Sequence, residues 1–319
     1  MSTPLPVLFQ GLVHDAAVYP PGSAPLHEAV KAHRRHRSAW YAELIGPLLV
    51  PASSAASLGS SGAAGSAASL GSSGAAGSAA SLGSSGGSSG AGGSAEDLID
   101  PAEQLAVGLI ADTGLAGLGR ALASAPRGVV HVEAAVAKRG EDPLPGLIAL
   151  LEILGRHPDL PGYAEIPLTF GLLSALDAVS DARAAGVHVA AKFRTGGLAA
   201  ELFPTPIELA AVICACRDRD VPFKLTAGLH HAVRHTDPET GFIHHGFLNI
   251  AVATTQAVGG AEVADVGATL AGTDPVPLLE ATRHLLDQRR VLWDGYGSCN
   301  VGEPVADLAR LGLLPGSRP

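Results

Sequence analysis

Eight short β-like runs, spaced by stretches with helical periodicity, constrain this chain more than any other feature. The runs are VLFQGLV (7–13), PLLVP (47–51), LAVGLIAD (105–112), VVHVEA (129–134), YAEIP (163–167), HVAAKFRT (188–195), PFKLTAG (222–228) and VLWDGY (291–296). Strands that alternate with helices pair in parallel, because parallel neighbours need a crossover between them. Eight such units in 319 residues favour one α/β domain, a closed (β/α)8 barrel, over an open doubly wound sheet. No GxGxxG follows the first run, which weakens the dinucleotide-binding alternative.

The second unit is the poorest. Residues 52–95 contain only Ala, Ser, Gly and Leu, with a twelve-residue repeat, SAASLGSSGAAG, starting at Ser54, Ser66 and Ser78. Such a segment buries too little apolar surface to offset its chain entropy, which predicts a disordered low-complexity insert. The 51 residues before it are too few to fold alone. The insert therefore interrupts a single domain spanning 1–319.

The formal net charge is −9, from 21 basic and 30 acidic residues, so the chain has no overall attraction for nucleic acid or an anionic membrane. No apolar run approaches the roughly 18 residues of a membrane span. The N-terminus lacks the basic start and apolar block of a signal peptide. Three cysteines without CxxC spacing suit a reducing compartment. The expectation is a cytoplasmic protein with a small-molecule partner, and a homo-oligomer is compatible with all of this.

Side chains alternate faces along a strand, and helices cover the outside of a barrel, so its outer positions must be apolar. In the fourth run Val130, Val132 and Ala134 oppose His131 and Glu133. In the fifth, Ala164 and Ile166 oppose Tyr163 and Glu165. In the sixth, Val189, Ala191 and Phe193 oppose Lys192 and Arg194. In the seventh, Phe223, Leu225 and Ala227 oppose Lys224 and Thr226. Four neighbouring strands thus aim charge into the barrel near its C-terminal mouth, the catalytic end of this architecture. Isolated charges there would be costly, so they must pair with each other, a metal or a ligand. The alternative is an ion network of two carboxylates and three cations that only fills the barrel.

Loop motifs ring the same mouth. Arg194-Thr-Gly196-Gly197 offers backbone amides and a guanidinium fork to a carboxylate or phosphate, against the plainer reading of a βα turn. After the seventh run come His230, His231, His235, His244 and His245. A divalent metal held by Asp15, one of His230 or His231, and Glu133 or Glu165 is chemically reasonable, against histidines that only hydrogen-bond a lid. After the eighth run, Gly295-Tyr-Gly-Ser298-Cys299-Asn300 resembles an anion-binding turn, with Ser298 and Asn300 as contacts. Cys299 is either a nucleophile or, more plainly, a packed thiol. Cys214 and Cys216 read as structural, and His33 and His36, within HRRHR, as solvated surface.

The motifs LVHDAAVYPP, AKFRTGG, PFKLTAGLHHAVRH, HHGFLN and YGSCNVGEPVADL, spread over the chain outside the insert, resemble a family of uncharacterised bacterial (β/α)-barrel proteins. That resemblance implies a fold and no reaction. A weaker likeness is to barrel metallolyases that cleave carbon–carbon bonds, although the histidines here are adjacent where that group has HxH, and Asp15 lacks the following Arg-Glu.

The expected activity is lyase, aldolase or isomerase chemistry on a small anionic substrate. Arg194, Gly196, Gly197, Ser298 and Asn300 would bind it. Lys192 or Lys224 would act as base, electrostatic stabiliser or Schiff-base amine, with Glu133 and Glu165 as acid/base partners or metal ligands. From a different class, a non-catalytic barrel that binds a ligand or scaffolds a partner fits the same residues.

Overall fold

The computed structural model describes residues 4–60, 105–123 and 128–314. Eight parallel strands close into a barrel: β1 (Val13–Asp15), β2 (Ile45–Pro51), β3 (Val107–Ile110), β4 (Val129–Ala135), β5 (Gly162–Glu165), β6 (Val189–Arg194), β7 (Phe223–Thr226) and β10 (Trp293–Ser298). They run round the barrel in the order β1-β10-β7-β6-β5-β4-β3-β2. A two-stranded antiparallel hairpin, β8 (His235–Thr236) and β9 (Ile243–His244), stands apart after β7. The (β/α)8 expectation is therefore met.

Helices α1 (Leu26–Arg37), α3 (Gly114–Ala123), α4 (Leu144–Gly155), α5 (Leu172–Ala184), α6 (Pro206–Arg217) and α10 (Gly302–Arg310) each follow one barrel strand. Three consecutive helices, α7 (Phe247–Val258), α8 (Val263–Ala271) and α9 (Pro275–Arg283), fill the connection from β9 to β10. Local sequence explains their starts: α6 opens on a capping box between Thr205 and Glu208, with Pro206 in the first turn. The outward residues Val132, Ala134, Ala164, Ala191, Phe193, Phe223 and Leu225 are buried in one apolar layer with these helices. Cys214 and Cys216 belong to it, as expected of structural thiols.

Three expectations need correction. The first run is not a strand throughout. Val7–Phe9 forms a 3-10 turn, Gly11 takes a left-handed φ of 62°, and pairing begins only at Val13. The expected insert gives its first residues to the fold: Ala52–Ser54 makes a 3-10 turn leading into α2 (Ala55–Ser60), with Ala52 and Ala55 buried. The rest of that low-complexity stretch, from residue 61, lies outside the described residues. His33 is not on the surface; it is 1% exposed, because α1 lays it against Asp15. Its neighbour His36 is half-buried on the Tyr41 hydroxyl, Nδ1 to Oη 2.9 Å.

No helix among the described residues is long and apolar enough to cross a membrane.

Candidate active site

Alternation places the charged residues inside, as the sequence implied, and register brings them together. Glu133 of β4 pairs with Tyr163 of β5, Glu165 of β5 with Lys192 of β6, and Lys192 with Lys224 of β7. Glu133 and Lys224 are fully buried and Lys192 nearly so. Lys192 Nζ lies 2.7 Å from Glu133 Oε2 and 2.8 Å from Glu165 Oε2. Lys224 Nζ contacts Glu133 Oε1 and sits 2.6 Å from His14 Nδ1. His131 Nε2 reaches the same Glu133 oxygen at 2.9 Å. Arg194 caps the chain of charges, 3.3 Å from Glu165 Oε1, with its own side chain half exposed. Exposure thus rises from Lys224 through Lys192 and Glu165 to Arg194, which orders the group from depth to mouth.

Room for two inward histidines comes from glycines on the strands beside them. A Cβ at Gly108 of β3 would stand 2.3 Å from His131 Nε2, and one at Gly46 of β2 2.6 Å from His14 Cδ2. Both separations are impossible for real atoms, so any larger residue would displace the imidazole.

The two lysines differ electrically. Burial works against the charge of both, but two carboxylates outweigh it at Lys192 and hold that amine well above its usual range. At Lys224 burial dominates, Glu133 compensates only in part and Lys192 adds repulsion, so its pKa falls to about 8. Roughly a tenth of Lys224 is then free amine at pH 7. Glu133 is buried, which alone would raise it, yet Lys192 and Lys224 drive it well below the carboxylate range. Burial, then the Lys224 charge, push His14 far down, and burial lowers His131. Both imidazoles are therefore neutral, and His14 Nδ1 serves as acceptor for Lys224.

Above this cluster a pocket of about 320 Å³ opens at the C-terminal ends of β4, β5 and β6. Of the charged cluster, Glu165 and Arg194 line it, together with Lys138, Arg139 and Glu208, while Glu133, Lys192 and Lys224 lie deeper in the barrel.

The remaining sequence candidates fall elsewhere. Asp15 faces outward, bonded to His33 Nδ1 at 3.0 Å and to the Ala17 amide at 3.1 Å. The structure does not bring it to His230 or His231. Those histidines take separate carboxylates: His230 Nδ1 lies 2.7 Å from Glu303 Oε2 and His231 Nδ1 3.2 Å from Asp307 Oδ2. Gly196 approaches backbone rather than open space, since a Cβ there would meet Gly228 Cα at 3.0 Å, and Gly197 packs on Leu202. Ser298 is buried, its Oγ donating to the Asn300 carbonyl, while Asn300 Oδ1 accepts from the Gly302 amide at the start of α10.

One group among the described residues has metal-ligand spacing, and it is His14, His131 and Glu133, with one donor atom of each within 4.8 Å of the others. Lys224 Nζ already engages two of those three donors. An ammonium there competes with a divalent cation for the same lone pairs. His131 was visible in the sequence as an inward residue but carried no assigned role, and His14 was missed. Its signal was the alternation Val13-His14-Asp15, hidden because the first apolar run ends at Val13, where the strand begins.

Comparison of the chain with protein-family models and with curated proteins returned no match. What stands is the (β/α)8 barrel with a charged cluster that runs from its buried interior to the C-terminal ends of its strands.

Proposed function

We propose that the protein is a barrel enzyme of the lyase, aldolase or isomerase type, acting on a small anionic carbonyl compound through Lys224 as imine-forming amine. The observation that carries this reading is the asymmetry of the lysine pair: Lys192 is clamped as a cation by two carboxylates, whereas Lys224 is depressed to about 8 beside it. A nucleophilic amine must be free of its proton near neutral pH, and desolvation next to another cation is the usual means. Arg194 at the mouth, with Lys138 and Arg139 on the pocket wall, supplies the charge for a carboxylate or phosphate.

The contacts support the following steps. Neutral Lys224 attacks the substrate carbonyl carbon, and the hydroxyl of the carbinolamine leaves as water. His14, hydrogen-bonded to Nζ, carries one proton from the attacking nitrogen to the carbinolamine oxygen. A second proton, taken up from solvent, leaves with that hydroxyl as water, so the imine nitrogen keeps its hydrogen and its positive charge. Glu133, ionised and oriented by His131, stabilises the cationic imine. Glu165, nearest the pocket, is placed to move a proton at the substrate carbon that gains or loses electron density.

The test is borohydride reduction in the presence of a panel of 2-oxo acids and phosphorylated aldehydes and ketones, followed by peptide mapping. A reduced adduct on Lys224, lost in Lys224→Met, is the expected result. An adduct confined to Lys192, or none with any member of the panel, refutes the assignment. A second reading is favoured by the His14–His131–Glu133 spacing: a divalent metal held there in place of the ammonium. Stoichiometric metal in purified protein, retained by wild type and lost in His131→Ala, would support that reading and displace the first.

A further inference from the structure

The mouth of the barrel carries a second set of chemistry-bearing residues, on the side of β7 and β10. Cys299, just past β10, places its Sγ 3.9 Å from His230 Nε2 in the loop after β7. The other nitrogen of that ring, Nδ1, lies 2.7 Å from Glu303 Oε2 in the first turn of α10. An ionised carboxylate can only accept, so Nδ1 carries the hydrogen and Nε2 is left with its lone pair toward the sulfur. Two segments, the loop after β7 and the β10–α10 turn, thus bring together a nucleophile, a base and an orienting carboxylate. None of the three is needed by the lysine centre.

We propose that Cys299, His230 and Glu303 form a thiol nucleophile centre that accepts an acyl group from an activated ester or thioester. The thiol proton passes to His230 Nε2 as sulfur bonds to the acyl carbon. The carbon–oxygen or carbon–sulfur bond to the leaving group then breaks, and the departing alkoxide or thiolate takes the proton back from His230. No oxidant or cofactor is required. Burial, then the Glu303 charge, hold the thiol above its usual range, so the resting sulfur keeps its proton until the base removes it. Access fits the role: Cys299 is half-buried, and the His230 and Glu303 side chains are 22% and 37% exposed. Cys214 and Cys216 lie buried in α6 and provide an internal control.

The experiment uses the full chain and p-nitrophenyl acetate. Wild type should release about one equivalent of nitrophenolate in a burst and carry one acetyl group on the Cys299 peptide. His230→Ala should slow that acylation by about 100-fold, the usual contribution of a positioned base, with partial recovery on adding free imidazole. Glu303→Gln should slow it by about as much, roughly 100-fold, since the ring stays in place but an amide that donates to Nδ1 puts the hydrogen on Nε2 and removes the base. Acetyl on lysines alone, or Cys299 acylation at the wild-type rate in a His230→Ala variant that still melts cooperatively, overturns the proposal. Should His230→Ala not fold, Glu303→Gln decides, and an unchanged rate there has the same consequence.

Discussion

Replacing Lys224 by methionine should stabilise the protein, although it removes a side chain with two polar contacts. The Lys224 ammonium is fully buried and its pKa is reduced from 10.5 to about 8. That drop means the folded protein disfavours the charge by about 3 kcal/mol relative to the unfolded chain, at about 1.4 kcal/mol per unit. Glu133 would keep Lys192 and His131 as partners, so no carboxylate is stranded. Methionine has a similar length and no charge to desolvate, and buried ionic groups often yield to apolar residues of similar volume without loss. After the lost hydrogen bonds are counted, a gain of about 1–3 kcal/mol remains at pH 7, or several degrees in Tm for a domain of this size. The gain has a pH signature. Because the folded pKa is the lower one, the penalty in wild type is complete below about pH 8 and shrinks as pH rises to 10.5, where the folded lysine is neutral and the unfolded one half protonated. Urea unfolding of both proteins at pH 7, 9 and 10.5 measures it. A Lys224→Met variant less stable than wild type by 2 kcal/mol or more at pH 7, or a difference that does not change with pH, would show that the lysine is held comfortably as a cation and would remove the basis for its role as nucleophile.

The opposite sign is expected for its neighbour. Lys192→Met takes the shared cation from Glu133 and Glu165 and should cost about 3–5 kcal/mol, read from the urea midpoint at pH 7. Gly108→Ala drives a methyl group into the His131 ring and should cost about 1–3 kcal/mol; an unchanged melting temperature would mean that β3 or the ring shifts freely. Acid should destabilise the fold through its buried neutral histidines. Burial holds His245 at about 4, so the unfolded chain binds the extra proton as pH falls from 6.5 toward 4, and about 2 kcal/mol is lost by pH 5 from this residue alone. His245→Gln should flatten the dependence of stability on pH across that window, and an identical slope would argue that the histidine charges without cost.

What could be read from the sequence tracks how local the causes are. β4 to β7 were legible because each is covered by helices outside and charged inside, so a period of two survives in four to seven residues. β1 was not, because VLFQGLV is apolar enough to pass for a strand, and only the left-handed Gly11 and the 3-10 turn before it delay pairing to Val13. That apolar run ends at Val13, so alternation was never applied to Val13-His14-Asp15, which is why Asp15 was expected at the mouth and His14 was overlooked. The histidines after β7 were legible as a cluster but not as to partner, since Glu303 and Asp307 come from α10, more than seventy positions later. His33 failed for the same reason: nothing within HRRHR announces that Asp15 will meet it in the core.

The difference between the two lysines has its origin in β10. Lys192 stands between β5, which supplies Glu165, and β7, with Glu133 of β4 in reach beyond β5. Lys224 has β6 on one side, contributing only another lysine, and β10 on the other. The β10 residues in register with Lys224 and Thr226 are Gly295 and Gly297, which offer no carboxylate. Gly295 is not free to become one, because its φ is 144° and a Cβ there would lie 2.5 Å from the Leu12 carbonyl oxygen. That backbone contact, where the barrel closes between β1 and β10, leaves Lys224 with one carboxylate in direct contact, Glu133, and only the more distant charge of Asp294 from β10. The barrel's closure therefore adds to burial in keeping Lys224 less compensated than Lys192, the condition that the proposed imine chemistry requires, and Lys192 would meet that condition only on losing Glu165.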